Sequence, residues 1–240
     1  MKVDILAFGA HPDDVELSCS GTLIKSIKSG KTVGLIDLTR GELGSRGTAE
    51  IRDIEGQNSA KIMGASFRKV LTFADGFFET NEESLLKIIQ IIRTHQPEII
   101  LANTPSDRHP DHARGSELVK RASFLAGLSK IQTIGENGEI QHPHRPKSVF
   151  FYIQDRHLQP HFVVDISNEF QHKLECIKAF KSQFFDPNSK EPETPISSEE
   201  FWNFIEGRAR EFGRPIAVKY AEGFISERGL IGVDQLFDIY

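Results

Sequence analysis

The sequence predicts an α/β fold: a Rossmann-like, mainly parallel sheet flanked by helices, in a single domain spanning residues 1–240. Three observations carry this. Short apolar runs of strand length alternate with helical periodicity through the first hundred residues, the pattern of βαβ units joined by right-handed crossovers. A chain of 240 residues, 38% hydrophobic and 26% charged, buries a core without disulfides or a structural metal. No repeat, low-complexity tract or linker divides it. The 18 Phe against 2 Met and 1 Trp point to a rigid, aromatic-rich core.

The elements follow in order. Val3–Phe8 reads as a buried strand, and residues 14–29 as a helix ended by Gly30 in the position after the last turn. Val33–Leu38 is a second strand. A Gly-rich loop runs from Arg40 to Thr48, before a helix over 49–63. Val70–Phe73 is a short third strand. Residues 82–94 place Leu85, Ile88, Ile89 and Ile92 in a strongly apolar helix, and Ile99–Ala102 is a fourth strand. A loop reaches His109 and a helix covers 111–126. Gly135–Pro146 is a polar loop. Val149–Ile153 and Phe162–Ile166 are two further strands, and residues 168–184 form a helix. Phe185–Ser198, with its prolines and charges, reads as a mobile surface loop, and Glu199–Phe212 as the last long helix.

Charge and composition exclude several classes of function. Lys plus Arg is 29 against 34 Asp plus Glu, a net charge of −5, where nucleic-acid binders carry a basic excess. A small anionic ligand needs only one or two arginines and stays open. No stretch approaches the ~18 apolar residues of a membrane span. Met1–Ile5 runs straight into a strand without a signal-peptide pattern. Cys19 and Cys176 fit no disulfide framework. A cytoplasmic protein with a small-molecule partner, no nucleic acid and no membrane is the expectation.

The unusual residues all follow predicted parallel strands. His11-Pro12-Asp13-Asp14 follows the first and Arg40–Gly47 the second, with Arg52 just inside the next helix. Asp75-Gly76 follows the third, and Asp107-Arg108-His109-Pro110-Asp111-His112 the fourth. The C-terminal edge of an open α/β sheet is where ligands bind, so these clusters are expected in one crevice. His and carboxylate donors suit a zinc-like ion with three protein ligands and an open position. His11 and Asp14 can face one ion, with one of Asp13 and Asp14 left as a base toward an activated water. One of His109 and His112 can complete the donor set while the other serves as acid or oxyanion stabiliser. Asp111 is a candidate to orient that second histidine.

Blander readings compete. Asp13, Asp14 and Asp111 alone would be helix N-caps, Asp75-Gly76 a turn, Arg46 and Arg52 surface charge, and Cys19 a packed thiol. Two His-Pro-Asp segments at one sheet edge are hard to explain as caps. The Arg40–Gly47 loop lacks the P-loop Lys-Ser/Thr, and Phe8–Pro12 lacks G-x-G-x-x-G. A nicotinamide or flavin cofactor is therefore not expected.

Paired His11–Asp14 and His109–His112 resemble the signature of the LmbE/PIG-L zinc-dependent N-deacetylases. Gly41–Thr48, Ile51-Arg52, Asp75-Gly76, His144–Lys147, Phe162–Ser167 and Ser182–Phe184 resemble the bacillithiol-biosynthesis branch. Members of that branch remove acetyl from N-acetylglucosaminyl-L-malate. The resemblance implies His11, Asp14 and His112 as ligands of Zn2+, a donor set that also accepts Fe2+ or another divalent ion. It implies Asp13 as general base, and His109 as acid or oxyanion group with Asp111 behind it. It implies Arg145 as support for the catalytic carboxylate, and Arg52 and Asp75 as sugar-binding residues. Arg108, beside His109, is a candidate for the malate carboxylates because Arg binds carboxylate bidentately. The resemblance is compatible with a homo-oligomer, although no interface signature is legible. A deacetylase of another N-acetylglucosamine conjugate, such as a mycothiol precursor or chitooligosaccharide, and a non-catalytic metal-stabilised binding protein are the competing readings.

Overall fold

In the computed structural model, which describes residues 1–184, 189–233 and 235, seven strands form one sheet ordered β3-β2-β1-β4-β5-β7-β6. The strands are β1 (Ile5–Gly9), β2 (Val33–Asp37), β3 (Phe67–Val70), β4 (Ile99–Asn103), β5 (Ser148–Tyr152), β6 (Phe162–Asp165) and β7 (Ala221–Ser226). The first five pair in parallel, whereas β7 runs antiparallel to both β5 and β6. Every residue of β1 and β2 is buried, as expected of central strands covered on both faces.

Helices α1 (Asp14–Lys28), α2 (Ala49–Met63) and α5 (Phe170–Lys178) pack together, while α3 (Glu82–His95) packs on α4 (Pro110–Leu125). The core is correspondingly split by the sheet. Phe8, Leu38, Ile88, Ile92 and Leu118 meet in one cluster, and Ala7, Val15, Leu23, Leu35 and Tyr152 in another. The helix ends are written locally. The Thr48 hydroxyl accepts from Ile51 N, Gly64 ends α2 at φ 84, and the Asn81 side chain accepts from Ser84 N. Helix α6 (Glu200–Gly213) lies over β7.

Four expectations are corrected. The third strand is Phe67–Val70, earlier than expected, because its Arg68 hides the strand pattern in sequence yet is buried in an ion-pair cluster. Leu71 and Phe73 still donate to Asp37 and Leu38 carbonyls beyond its end. Strand β7 was not expected at all. The expected elements stop at Phe212, and within β7 the charge of Glu222 interrupts the apolar pattern, yet Glu222 is buried and accepts from Gly21 N, Thr22 N and Lys173 Nζ. Helix α5 stops at Lys178, six residues short of the expectation, and turns carry the chain to Phe184. The expected Phe185–Ser198 loop lies outside the described residues over 185–188. Its remainder is held by Arg46, whose guanidinium donates to Ser182 O, Pro192 O and Ser189 Oγ. Arg46 is thus a buried staple and not surface charge.

Among the described residues no helix is long and apolar enough to cross a membrane.

Candidate metal centre and active site

The C-terminal ends of β1, β2 and β4, with the loop after β3, converge on one pocket lined by His11, Asp13, Asp14, Arg52, Asp75 and His112 among others. The turn after β1 is strained. Asp13 sits at φ 108 with no side-chain capping bond, in a region rarely used by residues other than glycine and associated with functional sites. Its carboxylate is freed from capping and buried, 4% exposed.

Asp14 is the hub. Its Oδ2 accepts from His11 N at 2.9 Å and Asn103 Nδ2 at 3.0 Å, and its Oδ1 from Gln154 Nε2 at 2.7 Å. His112 Nε2 lies 3.1 Å from Asp14 Oδ1, and His11 Nδ1 lies 3.7 Å from Asp14 Oδ2. On its far side the His112 ring meets Asp107 Oδ2 through Nδ1 at 2.8 Å. Asp107 is itself fixed by the backbone N–H groups of Arg108 and Arg156. This carboxylate–histidine relay leaves Nε2 as the inward donor atom, the arrangement that supports metal-ligating imidazoles. His11 Nε2 lies 3.0 Å from Asp75 Oδ1 and 3.5 Å from Asp111 Oδ2. The His109 ring stands edge-on to His11 at 4.5 Å between centroids.

The electrostatics suit a cation. Burial opposes charge on His112, but Asp14 and Asp107 outweigh it and raise the ring to about 9. His11 is likewise raised, against burial, by Asp111, Asp14 and Asp75. Burial pushes Asp14 upward, and the charges of His112 and His11 hold it well below the usual carboxylate range. The same carboxylates that draw protons onto these rings are suited to a divalent ion, so the donor set fits the expected metal. Two tight sets of donor atoms, each within 4.8 Å, occur here: His11, His109 and His112, and His11, Asp75 and Asp111. The expected trio of His11, Asp14 and His112 meets through Asp14, with the His11 Nε2 turned toward Asp75.

Asp13 differs. Burial drives its carboxyl up to about 7, with the Arg52 charge only partly compensating. Arg52 Nη2 donates to Asp13 Oδ2 at 3.3 Å and Pro12 O at 2.6 Å, and Nη1 to Gly41 O at 3.1 Å. Gly41 makes this possible. It sits at φ +65, and an added Cβ would lie 1.9 Å from Arg52 Nη1. Gly41→Ala is expected to push Arg52 off Asp13. A lost charge-assisted hydrogen bond, worth about 1.5–3 kcal/mol, corresponds to roughly 10- to 100-fold in kcat/KM. Steady-state kinetics with a thermal-unfolding control checks this.

Residues 6–123 match the family PIG-L, described as GlcNAc-PI de-N-acetylase. The chain is 33% identical to the uncharacterized deacetylase YaiS of Escherichia coli K12, over 55% of this chain and 71% of YaiS. It belongs to the PIG-L family of deacetylases. It is also 29% identical to the diacetylchitobiose deacetylase of Thermococcus kodakarensis, over 91% of this chain and 81% of that protein. Among solved structures, the conserved protein TT1542 of Thermus thermophilus superposes with a TM-score of 0.85 at 34% identity. That match covers 97% of this chain and 98% of TT1542.

Within this PIG-L chain two expected placements change. Arg145 is not beside Asp13, the carboxylate it was expected to support. It precedes β5, whose parallel pairing with β4 puts it at the sheet edge opposite the His-Pro-Asp turns. There its Nη2 donates to Phe124 O at 3.0 Å and its guanidinium stacks 4.3 Å above the Phe124 ring. The Asp111 carboxylate does not sit behind His109. It accepts from Gly76 N, pairs with Arg114 and faces His11, while His109 Nδ1 accepts from Asp111 backbone N–H at 3.2 Å. His109, not Asp111, is therefore the N-cap of α4. Arg52 and Asp75, expected on the sugar, both line the pocket and also have protein partners. Asp75 gives one oxygen to His11 and the other to Leu43 N. Arg108 reaches the rim, its Nε donating to Asp155 Oδ2 at 2.8 Å.

Sequence reasoning did not name Asn103 and Gln154, which end or follow a strand at the same sheet edge, where the rule that found the histidines applies. It placed Asp107 in the cluster after the fourth strand but gave it no role.

Proposed function

We propose that this chain hydrolyses the N-acetyl amide of N-acetylglucosaminyl-L-malate, releasing acetate and the free glucosamine amine. The observation that carries the hydrolytic part is the juxtaposition of a buried, strained Asp13 with the Asp14–His112–Asp107 relay and His11. The malate part rests on the sequence resemblance to the bacillithiol branch and on Arg108 at the pocket rim. The substrate's non-sugar part is the finer half of the proposal.

His11, Asp14 and His112 would hold a divalent ion, zinc in the first instance. When bound there, it supplies Lewis-acid polarisation of the acetyl carbonyl and acidifies a water. Asp13, next to this donor set and restrained by Arg52, accepts a proton from the attacking water. Its raised affinity for protons suits a general base working near neutral pH. His109 accepts the Asp111 N–H at Nδ1, which assigns its ring proton to Nε2. A neutral ring in that tautomer donates toward the carbonyl oxygen as negative charge builds there. The proton held by Asp13 is then available to the departing amine.

Asp107 gives a test of the relay. Asp107→Ala is expected to weaken zinc binding by about 10–100-fold, measured by competition with a chromogenic chelator, with turnover restored at saturating zinc. His112→Ala loses zinc and turnover together, without rescue. Unchanged zinc affinity in Asp107→Ala would remove His112 from the ligand set.

The substrate is tested by amine release from zinc-loaded protein. N-acetylglucosaminyl-L-malate is compared with N-acetylglucosamine and with N,N'-diacetylchitobiose, the last because of the chitobiose-deacetylase relative that spans most of the chain. Strong preference for the malate conjugate supports the proposal. Preference for chitobiose replaces it with the second reading. Metal binding without release from any of the three overturns the enzymatic reading in favour of a metal-stabilised binding protein.

A further inference from the structure

A cleft runs from the metal centre toward α6 and the ends of β5 and β7, and Leu17, Arg108, His112 and Gln154 line both spaces. A molecule whose amide lies at Asp13 can therefore extend into it. Its walls are mainly apolar, with Ile153, Ile205 and Phe212 among them. Three cations border it. Lys173 is neutralised by Glu222 at 2.6 Å, both side chains being buried. Arg108 pairs with Asp155. Arg208, on α6, is different.

The Arg208 guanidinium lies 4.6 Å from the centre of the Phe204 ring, and its Nη2 donates to the Asp155 backbone carbonyl. Its Nη1 is out of solvent and has no hydrogen-bond partner among the described residues. The carboxylates whose charge reaches it are Asp155, Asp107 and Glu211. Each is engaged elsewhere, by Arg108, His112 and His157 respectively. Burial accordingly pulls Arg208 below the ordinary guanidinium range. A desolvated cationic donor without an acceptor is costly, and the planar fork of Arg matches a carboxylate.

We propose that Arg208, assisted by Arg108 on the shared Asp155 anchor, holds a carboxylate on the non-sugar part of the substrate and makes the enzyme prefer acidic N-acetylglucosaminyl conjugates. This rests on the deacetylase reading above and adds a specificity residue on α6 to it. Arg208 stands outside every motif of the sequence, so only the fold brings it to the cleft.

The test uses the zinc-loaded full chain and two substrates, N-acetylglucosaminyl-L-malate and the neutral methyl glycoside of N-acetylglucosamine. In Arg208→Gln the ratio of kcat/KM, acidic over neutral, is expected to fall by about 10- to 100-fold. The change should appear in KM for the malate conjugate, and Arg208→Lys should recover part of it. Thermal unfolding checks that each variant is folded. A wild-type preference for the acidic conjugate that survives intact in Arg208→Gln overturns the assignment. If the wild type shows no preference, the substrate reading falls, and free L-malate then tests Arg208 directly by calorimetry. Weaker binding to Arg208→Gln than to wild type supports the subsite, and equal binding overturns it.

Discussion

Asp13→Asn is expected to lower kcat by about 10²–10⁴-fold, the usual contribution of a general base, while zinc stoichiometry and folding are retained. Asn is the informative replacement for three reasons. It keeps the size of the side chain in a pocket where Asp13 is only 4% exposed. It tolerates positive φ better than most residues, which matters at φ 108. It also removes a buried carboxylate whose charge is disfavoured by desolvation, so stability should hold or rise, as when a strained functional group is neutralised. The Asp14, His11 and His112 donors are unaltered. Amine-release kinetics, zinc analysis and a melting curve on the same preparation decide the matter. Near-normal turnover would remove Asp13 as the base, and loss of zinc along with turnover would instead make it part of the donor set.

How far the sequence could be read depended on whether the deciding physics was local. Strand β1, helix α1 and the His11–Asp14 turn were legible because an apolar run, a helical stripe and polar punctuation are all written within thirty residues. The convergence of His11 with His112 was legible because the sheet-edge rule needs only the order of strands. Strands β3 and β7 were obscured by Arg68 and Glu222, charged residues that are buried because partners distant in sequence neutralise them. Arg145 differs: its expected role came from the resemblance alone, whereas its position before a parallel strand puts it at the edge opposite the histidines. Asp107 was passed over because nothing in the spacing says that it, and not Asp111, turns toward a histidine. Asp111 lies in the first turn of α4 and points across to His11 and Gly76, a choice set by tertiary packing.

The buried cluster that disguised β3 carries the largest expected effect on stability. Arg68 Nε and Nη2 donate to the two oxygens of Asp37 at 2.6 and 2.7 Å, and Nη1 donates to Glu16 Oε1 at 2.6 Å. The Arg68, Asp37 and Glu16 side chains are at most 1% exposed. Arg68→Met keeps the apolar stem but strands two carboxylates, and breaking such a pair costs about 3–5 kcal/mol. The sign with pH follows from proton binding. Burial already raises Asp37 despite the Arg68 charge, and without Arg68 the folded Asp37 carboxylate holds its proton to higher pH than the unfolded one. The variant's native state then binds more protons than its unfolded state, so its stability falls as pH rises above the unfolded carboxylate range of about 4. The deficit relative to wild type is therefore expected to be larger at pH 8 than at pH 5, as measured by urea unfolding. A loss below about 1 kcal/mol at pH 8, the level of an ordinary surface change, would refute the assignment. Adding Asp37→Asn and Glu16→Gln should recover much of the loss, because the penalty lies in the stranded charges and not in the missing guanidinium. Glu16 shares the first turn of α1 with Asp14, and Asp37 ends β2 beside the end of β1. The same cluster therefore fixes the direction in which the His11–Asp14 turn leaves the sheet. Activity of Arg68→Met should fall further than its folded fraction accounts for, and the triple variant separates that positioning effect from stability.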